Sequence, residues 1–176
     1  MKYLFILFLI FANNFYGQNV RATESLWDLI RSNSNLKYDS ERIEIIKASD
    51  KYNSNQYLIN RLSKNGQRYL YYTVKEGLRK NLPVELSLIP FVESQFDPYA
   101  RSATGASGIW QFIPSTAREN GLKKNWWYDG RRDIVASTEA AYGFLSKLYE
   151  RYGDWLIAIA AYNAGPKRVR YWKKIN

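Results

Sequence analysis

Glu93 stands four residues after Ile89 and seven after Leu86, on the apolar stripe that Leu82, Leu86 and Ile89 draw at helical spacing behind Pro83. A carboxylate on the face a helix normally buries is either paired with a cation or held protonated by desolvation. Desolvation raises its pKa toward the value a general acid needs. The plainer alternative is a helix-end Glu that reaches solvent, with Pro90 kinking the helix and rotating its phase. Asp97 is the nearest second carboxylate; Pro98 biases it toward extended or turn geometry, so it is read as a turn former. Asp129 and Asp133 suggest a cation site but are read as helix caps. Gln111, inside the apolar run from Ile109 to Ile113, can serve loop backbone groups. Tyr162 sits on an Ala-rich helix where an aromatic is usually core. Trp110, Trp126 and Trp127 are read as core or groove rim.

The elements that must position these groups are helical. Thr23 is placed to cap a helix ending at Ser32–Asn35, and Asp39 or Ser40 to cap a second from Glu41 to Ala48, before a polar break at residues 53–55. Leu58 and Leu62 lead to Asn65-Gly66, which is expected to stop one helix. Leu70, Val74 and Leu78 then phase another from Gln67 to Lys80, and Asn81-Leu82-Pro83 makes a tight junction into the helix that carries Glu93. Asp97-Pro98, Ser102, Thr104, Gly105, Ser107 and Gly108 form a loop rich in residues that tolerate unusual backbone angles. Pro114 opens a helix to Asn120, closed by Gly121. Asp133 caps one from Ile134 to about Tyr152, in phase through Thr138, Ala141, Leu145 and Leu148. Asp154 caps a last one, Trp155 to Tyr162, ended by Asn163-Ala164-Gly165-Pro166. No alternating stretch or internal repeat occurs, so the fold is expected to be all-α.

The chain has 176 residues, enough for one domain with a real core. Residues 1–17 carry Lys2, an apolar run from Tyr3 to Ala12 and then Asn13-Asn14, which reads as a secretory leader too short to span a bilayer. Cleavage near Gly17 or Gln18 is expected; an uncleaved anchor, and through it membrane association, is the alternative. The absence of Cys and His leaves no disulfide framework, no lipid-anchored Cys and no Cys/His zinc site. No cofactor or metal is expected. The net charge of +10 draws the chain to polyanions. Its basic residues are scattered, with doublets at Lys123-Lys124 and Arg131-Arg132, and most are read as solvated surface. No clustered basic face suggests a nucleic-acid partner.

Three ordered segments carry a resemblance: Glu93-Ser94, then GASGIWQFIP from Gly105 to Pro114, then AYNAG from Ala161 to Gly165. Together, over Leu82 to Val169, they resemble the signatures of the soluble-lytic-transglycosylase (SLT) domain, in the goose-type lysozyme relative of the lysozyme fold. The version here is similar to the membrane-bound lytic murein transglycosylase D group. The resemblance implies a lysozyme-like helical fold over residues 67–176, with residues 18–66 as an N-terminal helical arm. It implies cleavage of the β-1,4 bond between N-acetylmuramic acid and N-acetylglucosamine in peptidoglycan glycan strands, by a monomer in the periplasm or cell envelope. Glu93 matches the single acid/base. Ser102 matches a serine that contacts the substrate near its acetamido group, and Gln111 the motif glutamine that lines the groove. Tyr162 and Asn163 match the aromatic and amide pair near the carboxylate. Ser102, Gln111 and Asn163 offer neutral hydrogen bonds suited to sugar hydroxyls. Two alternatives share these residues, a hydrolytic muramidase and a wall-binding module that has lost turnover. The group usually continues with more of the domain and then with wall-anchoring LysM repeats, so a shortened protein or a fragment is expected.

Overall fold

The computed structural model describes residues 26–36 and 56–175. The leader, the Thr23 cap, the helix expected at Glu41–Ala48 and the break at 53–55 lie outside them. Among the described residues the structure is helical, with three isolated β-bridges and no strand, as the all-α expectation requires. None of these helices is long and apolar enough to cross a membrane. The chain forms two compact units divided after Phe96.

The first unit opens with α1, Leu26–Asn33, whose Ile30 is buried and whose Trp27 ring stacks on Phe91. Next comes α2, Gln56–Arg79, a single continuous helix. The expected stop at Asn65-Gly66 does not occur. Gly66 is buried, and a Cβ there would lie 3.1 Å from Cζ of Phe91, so this glycine admits a ring against the helix and does not end it. The helix runs on to Arg79 and is capped by Asn81, in the left-handed region with φ 55°. Asn81 N–H donates to the Leu78 carbonyl and Leu82 N–H to that of Gly77, both at 3.0 Å, the bond pattern of a Schellman cap. Leu70 and Val74 are buried as expected; Leu78 is only half-buried, and Thr73 and Gly77 complete the inward face.

The single helix expected from Pro83 to Glu93 is also corrected. The chain makes a 3₁₀ helix, Val84–Leu88, and then α3, Ile89–Ser94. Pro90 has no N–H to donate back into the preceding turn, so it is placed in the first turn of a new helix, where none is needed. All five residues of the 3₁₀ helix are buried, not one stripe of them. Glu85 is among these. Its Oε1 accepts from Ser34 Oγ at 2.7 Å, Asn35 N–H at 2.7 Å and Leu36 N–H at 2.9 Å, which fastens the segment after α1.

In the second unit a loop from Asp97 to Ile113 leads to α4, Pro114–Glu119; α5, Ile134–Tyr152; α6, Trp155–Ala164; and α7, Pro166–Ile175. Two caps follow the expectation, whereas Asp129, also read as a cap, accepts from Arg131 instead. Asp133 accepts from Ala136 N–H and Asp154 from Ile157 N–H, each at 2.9 Å, and Gly153 closes α5 with φ 69°. Thr138, Ala141, Leu145 and Leu148 are all buried. The expected end at Tyr162 is two residues short, and α7 was not expected at all. Gly165 ends α6 while Pro166 opens the next helix, so the dipeptide read as a terminator is also a start. Leu148, Ala158, Ala161 and Val169 form the shared core of α5, α6 and α7, with Phe144, Tyr152 and Trp155 packed against it. The small Ala158 and Ala161 are what let those helices approach.

Candidate active site

Glu93 occupies the last turn of α3 and is half-buried. The turn is ended by two successive left-handed residues, Gln95 with φ 55° and Phe96 with φ 56°. Neither is a glycine, so both conformations cost free energy that the surroundings must offset. Two features do so. Gln95 and Phe96 N–H groups donate to the carbonyls of Phe91 and Pro90 at 3.1 and 3.2 Å, and the Phe96 ring, fully buried, meets Phe91 edge-on at 4.8 Å. The helix end that carries Glu93 is thus locked by a buried aromatic pair.

In the second unit the loop is organised on its own backbone. Asp97 Oδ1 accepts from Tyr99 N–H at 2.8 Å, the turn role expected of it. Ser102 Oγ accepts from Ala106 N–H at 3.0 Å and shares a 2.9 Å hydrogen bond with Thr104 Oγ1. Short bridges pair Arg101 with Ser107 and Ser107 with Phe112. Gln111 has φ 49°, and its Nε2 donates to the carbonyls of Gly108 at 2.8 Å and Ala100 at 3.3 Å. Two carbonyl acceptors fix which end of the amide faces the loop. Gln111 therefore does serve loop backbone groups, and it does so with its nitrogen.

The third motif binds to the second. Tyr162 Oη donates to the Trp110 carbonyl at 2.8 Å, and its ring lies 6.1 Å from Phe112 and 5.6 Å from Phe144. Trp110 is fully buried; its Nε1 donates to Thr138 Oγ1 at 3.0 Å and its ring meets Tyr142 edge-on. It is core, one of the two readings open to it. Asn163, beside Tyr162, is exposed. Ser102, Gln111, Tyr162 and Asn163 thus belong to one unit, whereas Glu93 belongs to the other.

One residue group was missed from sequence. Arg131, read as half of a surface doublet, is only 4% exposed. Its Nε and Nη2 hold both oxygens of Asp129 at 2.8 and 2.6 Å, while Nη1 reaches the carbonyls of Gly105 at 2.8 Å and Phe112 at 3.2 Å. A guanidinium has five donors in a fixed fork, which is why one side chain can clasp both ends of the motif loop. Those hydrogen bonds hold the Asp129 carboxyl below its ordinary pKa and Arg131 above its own. Gly108, with φ 80°, fits under the same segment: a Cβ there would land on the Arg131 carbonyl oxygen. The only signal in the sequence was the spacing Asp-Gly-Arg, which is also that of an ordinary turn.

Residues 71–176 match the family model described as Transglycosylase SLT domain. The chain is 39% identical over 161 residues to membrane-bound lytic murein transglycosylase D of Escherichia coli strain K12, covering 91% of this chain and 35% of that protein. It is 34% identical to membrane-bound lytic murein transglycosylase F of Desulfosudis oleivorans, covering 48% of this chain and 19% of the relative. It is likewise 34% identical to soluble lytic murein transglycosylase of Salmonella typhimurium, covering 46% and 13%. The chain spans about a third of the length of its Escherichia coli relative. With the family model covering more than half of the sequence, and with the helical fold its motifs implied, the chain belongs to the transglycosylase SLT domain family.

Proposed function

We propose that this chain is a peptidoglycan lytic transglycosylase acting in the cell envelope, with Glu93 as its acid and then its base. The observation that carries the reading is where the backbone is held in unfavourable conformations. Of four non-glycine residues with positive φ among those described, Gln95 and Phe96 directly follow Glu93-Ser94 and Gln111 lies inside the second motif. Strain of this kind persists where the surroundings over-determine it, typically at functional sites. The names of the relatives support the substrate class.

In this mechanism the Glu93 carboxylic acid gives its proton to the glycosidic oxygen as the bond from that oxygen to C1 of the muramyl sugar breaks. The N-acetylglucosamine leaves as an alcohol. Glu93, now a carboxylate, takes the proton of the muramyl 6-hydroxyl as that oxygen closes on C1. A 1,6-anhydro ring forms, the acid is restored and no water is consumed. One carboxyl suffices because the proton it gives up leaves it as its own conjugate base. A retaining pair of carboxylates is dispensable when the substrate supplies the nucleophile. Ser102, Gln111, Tyr162 and Asn163 serve as hydrogen-bonding groups for the sugars, Gln111 through the oxygen that its loop contacts leave available.

The test is digestion of purified sacculi followed by mass analysis of the released fragments, with Glu93→Gln alongside. Anhydro products, lighter by one water than hydrolysed ones, are expected from the parent and none from the variant. Hydrolysed products would make the chain a muramidase. Release by Glu93→Gln at the parental rate would end the proposal.

A further inference from the structure

The second unit carries a feature that the reaction above does not use. Trp126 and Trp127 are 80% and 77% exposed, their rings lying one over the other at a tilt of 35° on a tight turn, with Tyr128 next to them at 39%. Two neighbouring indoles left in water are unusual on a small domain, and the turn that presents them is closed by its own hydrogen bonds. Asn125 Oδ1 accepts from the N–H groups of Trp127 at 2.9 Å and Tyr128 at 2.7 Å, and Asn125 N–H donates to the Tyr128 carbonyl at 2.8 Å. Lys124 bridges to Asp129, and Tyr128 Oη donates to Asp133 at 3.0 Å. The residues before the turn line a cavity of about 350 Å³, shared between apolar Pro114, Ala117 and Leu122 and polar Arg118, Lys124, Asn125 and the paired Asp129 and Arg131.

The geometry points to an accessory binding site for a β-1,4-linked N-acetylhexosamine chain, with Trp126 and Trp127 as the stacking platform and the adjoining cavity as the seat for a side group. The inference rests on the proposed function for the identity of the glycan. A pyranose ring has a C–H face that is apolar and a rim of hydroxyl and acetamido groups that is polar. An aromatic face beside a pocket lined by one amide, by Arg118 and Lys124, and by an Asp129 carboxylate already paired with Arg131 matches that division. Carboxylates carried by the muramyl sugar's lactyl group or stem peptide would be met by Arg118 and Lys124. A membrane surface fits less well, because Asp129 and Asp133 stand at the base of the turn and a lipid interface has no use for a concave pocket.

The test measures binding in the Glu93→Gln chain, so that turnover does not interfere, using purified sacculi, a soluble β-1,4 N-acetylglucosamine oligomer and phosphatidylglycerol vesicles. Adding Trp126→Ala and Trp127→Ala is expected to weaken sacculus and oligomer binding about tenfold, from the loss of the stacking surface. Trp126→Phe with Trp127→Phe should restore part of it. Tyr171→Ala, which removes another exposed aromatic, on α7, should leave binding at the parental level. Unchanged glycan binding in the double Ala variant overturns the inference, as does a loss confined to vesicles. Turnover separates the two readings. If the parent digests sacculi but the double Ala variant binds normally, only the accessory site falls. If the parent never digests them while the tryptophan dependence persists, only the reaction falls.

Discussion

Tyr162 Oη donates to the main-chain carbonyl of Trp110 at 2.8 Å, so a hydroxyl on α6 holds the backbone one residue before Gln111. Gln111 is the one non-glycine left-handed residue of the second motif, and its amide nitrogen is already committed to Gly108 and Ala100. Tyr162 therefore positions the loop whatever else it touches.

Tyr162→Phe keeps the ring and its contacts with Phe112 and Phe144 and deletes the hydroxyl that donates to Trp110. The expected loss of stability is about 1 kcal/mol, the net worth of one hydrogen bond. Sacculus digestion should fall further, on the order of tenfold or more, because a small displacement of site groups is costly to reaction geometry. Thermal melts set beside release assays check this. A loss of activity no larger than the loss of folded protein would reduce Tyr162 to packing alone.

Gly105 and Gly108 make a matched pair. Both have φ near 80°, but a Cβ on Gly105 would meet nothing within 4 Å, whereas on Gly108 it would strike the Arg131 main chain. Gly105→Ala should cost about 1 kcal/mol, from backbone conformation alone. Gly108→Ala adds overlap with a backbone that has nowhere to go, and about 3 kcal/mol or more is expected. Chemical denaturation of the two variants decides. Equal costs would mean that the Arg131 segment yields.

Glu85 gives a prediction for the first unit. One of its oxygens collects three donors from Ser34, Asn35 and Leu36, and the other, Oε2, is buried with no hydrogen-bond partner among the described residues. Glu85→Gln weakens three charge-assisted bonds and puts a buried amide where no described residue offers an acceptor. A loss of about 2 kcal/mol follows. Amide exchange at Asn35 and Leu36 should quicken before the rest of the unit responds. Parental exchange rates at those two positions would show that the carboxylate is not what fastens them.

Much of this was legible in the sequence, for identifiable reasons. Asp133 and Asp154 caps, the inward face of α5 and the turn at Asp97 follow from rules that act within four residues. The errors came where a distant residue decides. Gly66 reads as a helix stop until Phe91 is seen against it, and Arg131 reads as surface until Gly105 and Phe112 supply its acceptors. Pro90 carries its own local signal, an interruption of the helical phase, and the change from 3₁₀ to α-helix falls at that point. For the candidate site, the types of residue were readable and their hydrogen-bond partners were not.

The Asp129–Arg131 clasp makes the second unit acid-sensitive in a defined direction. Hydrogen bonds from Arg131 depress the Asp129 pKa in the folded state, so the folded chain binds this proton less readily than the unfolded one. The stabilisation is complete above the ordinary Asp value of about 3.9 and is lost as pH falls through the depressed folded value. Asp129→Asn should abolish that part of the acid limb. At neutral pH it should also cost about 3 kcal/mol, because it strands a guanidinium that is almost entirely buried. Arg131 would still reach Gly105 and Phe112, so the loop should loosen before it unfolds. Stability measured against pH for the parent and Asp129→Asn tests both parts: two curves that converge at low pH and separate above it are expected. Parallel curves would show that the pair contributes no pH dependence, and coincident curves would show that the clasp does not hold the loop.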